Sequence, residues 1–287
     1  MTSLHVARLR ALAVVPALMA VTTQEQTPTF RTRTDLVTVD VVVRRGNDVV
    51  AGLTAADFRV IDRGVPQRVD EVFFAVPLEL TLVIEAPGDA GVVKALTSEI
   101  RAIGRTLRPV DQLRVIAYGR EAIELLPPQS GNAPVVIERL PLPGGPVFLD
   151  ATAAALMRPP PADRRPLVVS VANRADAMSV IDGRLIPDVA RRAHGVLSFV
   201  IVDSIPEAGR ATLETAAQLT GGRVQRRLST YVPLIPLVTR IVSEFRQSYV
   251  VVYRPAGVPV DGWHDLEVSV PGRSGVTIRA RRGYFGR

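Results

Sequence analysis

The stretch LELTLVIEAPGDAG, residues 78–91, decides how the chain is read. Its first part is a nearly continuous apolar run, which is the pattern of a parallel strand covered on both faces. The strand runs into a loop that carries two carboxylates, Glu85 and Asp89, together with Pro87, Gly88 and Gly91. Next comes VVKALTSEIRAIGRTL, where Val93, Leu96, Ile100, Ile103 and Leu107 recur at helical spacing. The same alternation continues outward. QLRVIAY and AIELL read as strands, a helix is expected from about Phe148 to Met157, and RPLVVSVAN reads as another strand. LIPDVARRAH, GVLSFVIVD, GRATLETAAQLTGG and YVPLIPLVTRIVSEFRQ then read as helix, strand, helix and amphipathic helix. Strand and helix in regular turn predict an α/β domain over residues 78–246, with a doubly wound, mostly parallel sheet of the Rossmann-like kind.

The two flanks have a different period. DLVTVDVVVRR places Val37, Val39, Val41 and Val43 on one face and Leu36, Thr38, Asp40 and Val42 on the other, which is strand alternation. GND makes a turn, and LTAADF sets Thr54 three residues before Asp57 in the spacing of a capping box. FRVID and QRVDEVFFAV flank the turn RGVP, so a hairpin is expected. After residue 246 the pattern returns to β with SYVVVYRP, WHDLEVSV and VTIRARRGYF, separated by glycine- and proline-rich turns. Each flank alone makes too small a sheet to be stable. The expectation is therefore one small antiparallel β domain built from both chain ends, residues 30–77 and 247–287.

At 47% hydrophobic, the 287 residues can bury a substantial core. The net charge of +7 is almost wholly arginine, since Lys94 is the only lysine. These arginines are scattered, whereas nucleic-acid binders gather charge on one face, so nucleic acid is not an expected partner. With no cysteine, disulfides and thiolate metal sites are excluded. His5, Arg8 and Arg10 precede the apolar run ALAVVPALMAV and the polar TTQEQTPT. That order reads as a signal peptide over residues 1–22 that directs the chain to the periplasm or the exterior. No later stretch is long and apolar enough to span a membrane.

The segments LTLVIEAPG, LRVIAYG, PGGPVFLDATAAAL, PLVVSVANRAD and VLSFVIVD together resemble a von Willebrand factor A domain. The flanks DLVTVDVVVR, GLTAADFRVIDRGVPQRV and SYVVVYRP…GWHDLEVSV…VTIRARRGYF resemble a bacterial family of secreted A-domain-related proteins, found chiefly in Acidobacteria and their neighbours. The resemblance implies a Mg²⁺ site at the C-terminal edge of the sheet, where the first motif is Asp-x-Ser-x-Ser, with a Thr from a second loop and an Asp from a third. On this chain those positions are Glu85, Pro87, Asp89, Pro146 and Ala172, the last followed by Asn173. Pro87, Pro146 and Ala172 have no side-chain oxygen. What the resemblance implies here is a degenerate metal-ion-dependent adhesion site, with no metal or other cofactor expected. Glu85 and Asp89 could still hold a cation with waters and Asp176; alternatively Glu85 bonds within its loop and Asp89 favours the start of the helix.

A catalytic reading has little to build on. His194 stands where a helix ends and His264 sits beside Trp263 at the start of a strand, so they read as a cap residue and as packing and edge residues. Nucleophile-elbow, phosphate-loop and zinc-protease motifs are absent. The expected function is a non-enzymatic interaction module whose partner is an extracytoplasmic protein that the sequence does not identify, at a site formed by Glu85, Pro87, Asp89, Pro146, Ala172, Asn173 and Asp176. The alternative is a cation-dependent binder or hydrolase that uses Glu85, Asp89 and a histidine. Oligomeric state leaves no signal in the sequence.

Overall fold

A computed structural model of the protein describes residues 36–86 and 90–286. The expected leader, Pro87 and Asp89 lie outside the described residues. The chain begins with strands β1 (Val37–Arg45), β2 (Asp48–Val49), β3 (Arg59–Asp62), β4 (Val65–Gln67) and β5 (Val69–Phe74). Val37, Val39, Val41 and Val43 are all buried, so the alternation read from β1 does report its core face. Between β3 and β4, Arg63 and Gly64 both have positive φ, 46° and 80°, the pairing that a tight two-residue hairpin turn requires. Thr54 and Asp57 close the expected capping box around a single helical turn.

The α/β part follows: β6 (Leu78–Glu85), α1 (Ala90–Gly104), β7 (Gln112–Tyr118), β8 (Ala122–Ser130), α2 (Phe148–Leu156) and β9 (Arg165–Ala172). Then come α3 (Ile186–Arg192), β10 (Val196–Val202), α4 (Glu207–Thr220), β11 (Val224–Arg227) and α5 (Ile235–Arg246). The six strands lie in the order β11-β10-β9-β6-β7-β8. All neighbours are parallel except β7 and β8. Leu78 to Ile84 are buried without interruption, because helices cover both faces of β6. On one face Leu80, Leu82 and Ile84 pack with Leu96, Ile100 and Ile103 of α1 and Val238 and Ile241 of α5. On the other, Val83, Ile116 and Val168 pack with Phe148 and Ala151 of α2, Ala190 of α3 and Leu213 and Ala217 of α4. The sheet is thus doubly wound, as its alternating pattern predicts.

The last strands are β12 (Tyr249–Tyr253), β13 (Gly262–Ser269), β14 (Thr277–Ala280) and β15 (Gly283–Gly286). β1 pairs antiparallel with β12 and β14, β12 also pairs with β5, and β13 lies between β15 and β3. Strands from the two chain ends therefore hydrogen-bond directly, with Val39, Val41, Val60, Tyr249, Val251, Tyr253 and Leu266 in a common core. VTIRARRGYF, read as one strand, is divided at Arg281–Arg282 between β14 and β15, which belong to different sheets. QRVDEVFFAV is divided in the same way between β4 and β5. His264 packs as expected: its side chain is buried, and at its position β13 pairs with β15, Tyr284 standing opposite. All these strands and the α/β sheet belong to one compact unit spanning residues 35–287. No helix among the described residues is long and apolar enough to cross a membrane.

Candidate functional site at the C-terminal edge of the sheet

The strand order reverses between β6 and β9, which are neighbours although the chain visits β7, β8 and α2 between them. Connections leave such a pair in opposite directions and open a crevice at the C-terminal strand ends, where ligands of doubly wound sheets bind. Glu85 and Ala172 end the two strands. Tyr118, paired with Glu85 across the sheet, donates its buried hydroxyl to the carbonyl of Val171 and so ties β7 to β9 beneath the crevice. Burial first, and then the Glu85 carboxylate, push this hydroxyl far above its ordinary pKa, so it remains a donor. The loop before α2 is drawn onto the same edge by two backbone bonds, Arg120 N to Leu142 O and Val147 N to Gly119 O. Only glycine fits at Gly119, where a Cβ would lie 2.5 Å from the carbonyl oxygen of Leu142.

Glu85 is held by a residue that the sequence reading passed over. Arg174 Nε donates to Glu85 Oε1 at 2.6 Å, while its Nη2 donates to Gly144 O at 2.9 Å. The Glu85 side chain is only 7% exposed, whereas that of Arg174 is 51% exposed. One guanidinium thus joins the end of β6 and the loop after β9 to the loop before α2. Its position directly after Asn173 was visible in SVANRAD, but its partner lies 89 residues earlier and local spacing carries no trace of the contact.

The remaining expected site residues take structural places. Asp176 Oδ2 accepts from Leu149 N at 2.9 Å and from Ser179 Oγ at 2.7 Å, and its Oδ1 accepts from Ser179 N. It serves as a remote cap for α2, whose first amides need such acceptors. Asp150 returns the tie by accepting from Val180 N and Ile181 N. Asn173 Oδ1 accepts from Arg227, which also donates to Thr230 O and Val232 O and so fastens the loop after β11. Ala172 is buried in the core that covers α2. Pro146 is buried too, and its carbonyl accepts from Ala177 N and Met178 N. The structure brings Glu85, Pro146, Ala172, Asn173 and Asp176 to one edge, where the Glu85–Arg174 pair places charge at the ends of β6 and β9.

The histidines stand elsewhere. His264 Nδ1 lies 2.8 Å from Asp62 Oδ1, and Asp62 Oδ2 accepts from Tyr253 and Tyr284, so this cluster belongs to the β strands. The His264 ring also stacks on Tyr284 at 4.5 Å between centroids. His194 is exposed beyond the end of α3.

The Mg²⁺ that the resemblance implies does not fit the described residues. Pro146 and Ala172 offer no side-chain oxygen, both oxygens of Asp176 are taken by backbone and hydroxyl donors, and Glu85 already carries a guanidinium. A cation some 4 Å from that guanidinium would be repelled by about 4 kcal/mol per pair of unit charges at an effective dielectric near 20. Among the described residues no group of three or more His, Cys, Asp or Glu could hold a metal ion.

No family model and no curated protein matches the chain. Among solved structures it is similar to a von Willebrand factor type A protein from Catenulispora acidiphila, at 10% identity and a TM-score of 0.47, covering 87% of this chain and 73% of that one. It is similar to the ArnB paralog VWA2 from Sulfolobus acidocaldarius at 8% identity and a TM-score of 0.44, covering 85% and 74%. It is also similar to the manganese-loaded TRAP protein of Plasmodium vivax at 11% identity and a TM-score of 0.43, covering 78% and 97%. All three scores lie below 0.5, and the fold stands on its own strand order and burial.

Proposed function

We propose that this chain is an extracytoplasmic, non-enzymatic interaction module of the von Willebrand factor A kind, akin to the secreted Acidobacteria-type proteins, and that it binds a protein partner through the loops at the C-terminal edge of its six-stranded sheet. In this reading those loops are a degenerate adhesion site that works without a metal. The observation that carries it is the exposure of large apolar side chains there: Leu142 is 57% exposed, Met178 51%, Val180 93%, Leu228 80% and Tyr231 95%. They sit on the loops after β9 and β11 and before α2, which are fastened by Asp150, Asp176 and Arg227. Exposed apolar side chains on a rigid frame are what a protein interface uses, since they lose water on docking without a large ordering cost.

Two measurements test the proposal. The exported protein should begin near Thr23, and mass spectrometry that finds Met1 at its mature end would contradict the extracytoplasmic placement. In a pull-down from the envelope fraction of the source organism, wild type in chelator should retain a partner that the variant Val180→Asp, Tyr231→Asp loses. A partner held equally by both proteins, or one released by chelator, would overturn the reading.

A further inference from the structure

We infer that Arg174 supplies the positive charge at this edge itself, and that with Arg120 it receives a carboxylate side chain of the protein partner directly, with no bridging ion. This deepens the interaction-module reading and rests on it. Three observations lead there. Arg174 is anchored at two points, by Glu85 through Nε and by Gly144 O through Nη2, yet half of the side chain is exposed and its Nη1 makes no bond among the described residues. A guanidinium held in this way is pre-organised and needs little ordering when a ligand arrives. The stem of Arg120 packs by the same glycine: a Cβ added to Gly144 would lie 3.2 Å from Arg120 Cβ and 3.4 Å from its Cδ. The Arg120 side chain is exposed and has no acidic partner among the described residues. Thus the Arg174 guanidinium and the aliphatic stem of Arg120 both adjoin Gly144. Glu85, which engages Arg174, is almost wholly buried, and Glu121 beside Arg120 is paired with Arg139. The outward charge of the pair is positive.

The third observation concerns shape. The crevice lies at the strand-order reversal, and the exposed Met178 and Leu142 belong to the loops that hold Arg174 and Arg120. An acidic residue on an apolar protein loop would match both features, because arginine forks bind carboxylates with geometric as well as electrostatic selectivity. Neither the free edge of Arg174 nor the Arg120 guanidinium is needed to hold the fold.

The probe is N-acetyl-glutamate N-methylamide, titrated into ¹⁵N-labelled protein in chelator while the Nε–H signals of Arg120 and Arg174 and the amides of Gly144 and Gly145 are followed. The expected result is a saturable shift of these signals in the millimolar range, at least five-fold weaker for the glutamine analogue and for Arg120→Gln. Arg174→Lys keeps the charge but not the fork, and it should weaken the shift while leaving the thermal midpoint close to wild type. Equal shifts with the glutamine analogue, or full binding by Arg120→Gln together with Arg174→Lys, would overturn the inference. If the envelope partner is lost by Val180→Asp, Tyr231→Asp but retained by Arg120→Gln and Arg174→Lys, the interaction module survives and the carboxylate receptor does not.

Discussion

Arg165, the first residue of β9, donates through Nη1 to Asp40 of β1 at 2.8 Å and to Ser248 Oγ at 2.7 Å, joining strands 125 residues apart in the chain. Its guanidinium also lies 4.3 Å over the ring of Phe245 and donates to the Phe245 carbonyl. This contact couples the α/β sheet to the strands from both chain ends. Removing one partner of a buried ion pair leaves the other charge without compensation, so Arg165→Ala should cost about 3 kcal/mol or more. Denaturant unfolding of Arg165→Ala, Asp40→Asn and the double variant should show the double costing less than the sum. Strict additivity would mean that the two residues act independently.

Acid should weaken a second junction. Burial by itself would raise the Glu244 carboxyl, but Arg279 and Arg223 outweigh it and hold the group below the usual glutamate range. With the native pKa depressed, the stabilisation is fully present above the unfolded value of about 4.3 and is lost as pH falls through the native one. Wild type and Glu244→Gln should therefore differ most in stability at neutral pH and converge below about pH 4. A gap independent of pH would contradict this. Asp111 shifts in the same direction, with its burial outweighed by Arg108, the Leu78 amide and Arg246, and serves as an independent check.

Deleting residues 260–287 removes β13, β14 and β15. β1 would keep β12 but lose its register with β14, where Val41 faces Ala280 and Val43 faces Ile278. Hydrogen exchange of the amides from Val41 to Arg44 should accelerate by at least ten-fold in that truncation. Unchanged protection would show that the N-terminal strands stand without the C-terminal ones.

Titration calorimetry with Mg²⁺ and Mn²⁺ should give no saturable heat in the millimolar range for wild type. Arg174→Ala should not restore one either, because Pro146 and Ala172 still offer no oxygen once Glu85 is freed. Saturable binding by wild type would defeat the metal-free reading. Saturable binding by the variant alone would show that Arg174 is what keeps a cation out.

Tyr118→Phe removes the hydroxyl that reaches Val171 O and leaves that buried carbonyl short of a donor. A loss of about 1–2 kcal/mol is expected in thermal or denaturant unfolding. A neutral substitution would mean that β7 and β9 are held at their ends by packing alone.

The sequence by itself determined the elements and which faces they bury. The run Leu78–Ile84 could be read as a doubly covered strand, and Leu96, Ile100 and Ile103 as the inner face of a helix, because burial repeats with the local geometry of the backbone. Missing side-chain oxygens at Pro146 and Ala172 were legible in the same direct way. Tertiary structure alone decided which distant residues meet. It placed Arg174 on Glu85, gave Asp176 to the start of α2 rather than to a ligand, and buried His264 against Asp62. It also divided two apparently continuous strands between sheets, at Arg68 and at Arg281–Arg282. The physical reason is that periodicity records whether a position is covered, whereas the partner of a charged side chain depends on where the sheet twist and the loop ties bring a second chain segment, and no local pattern encodes that distance.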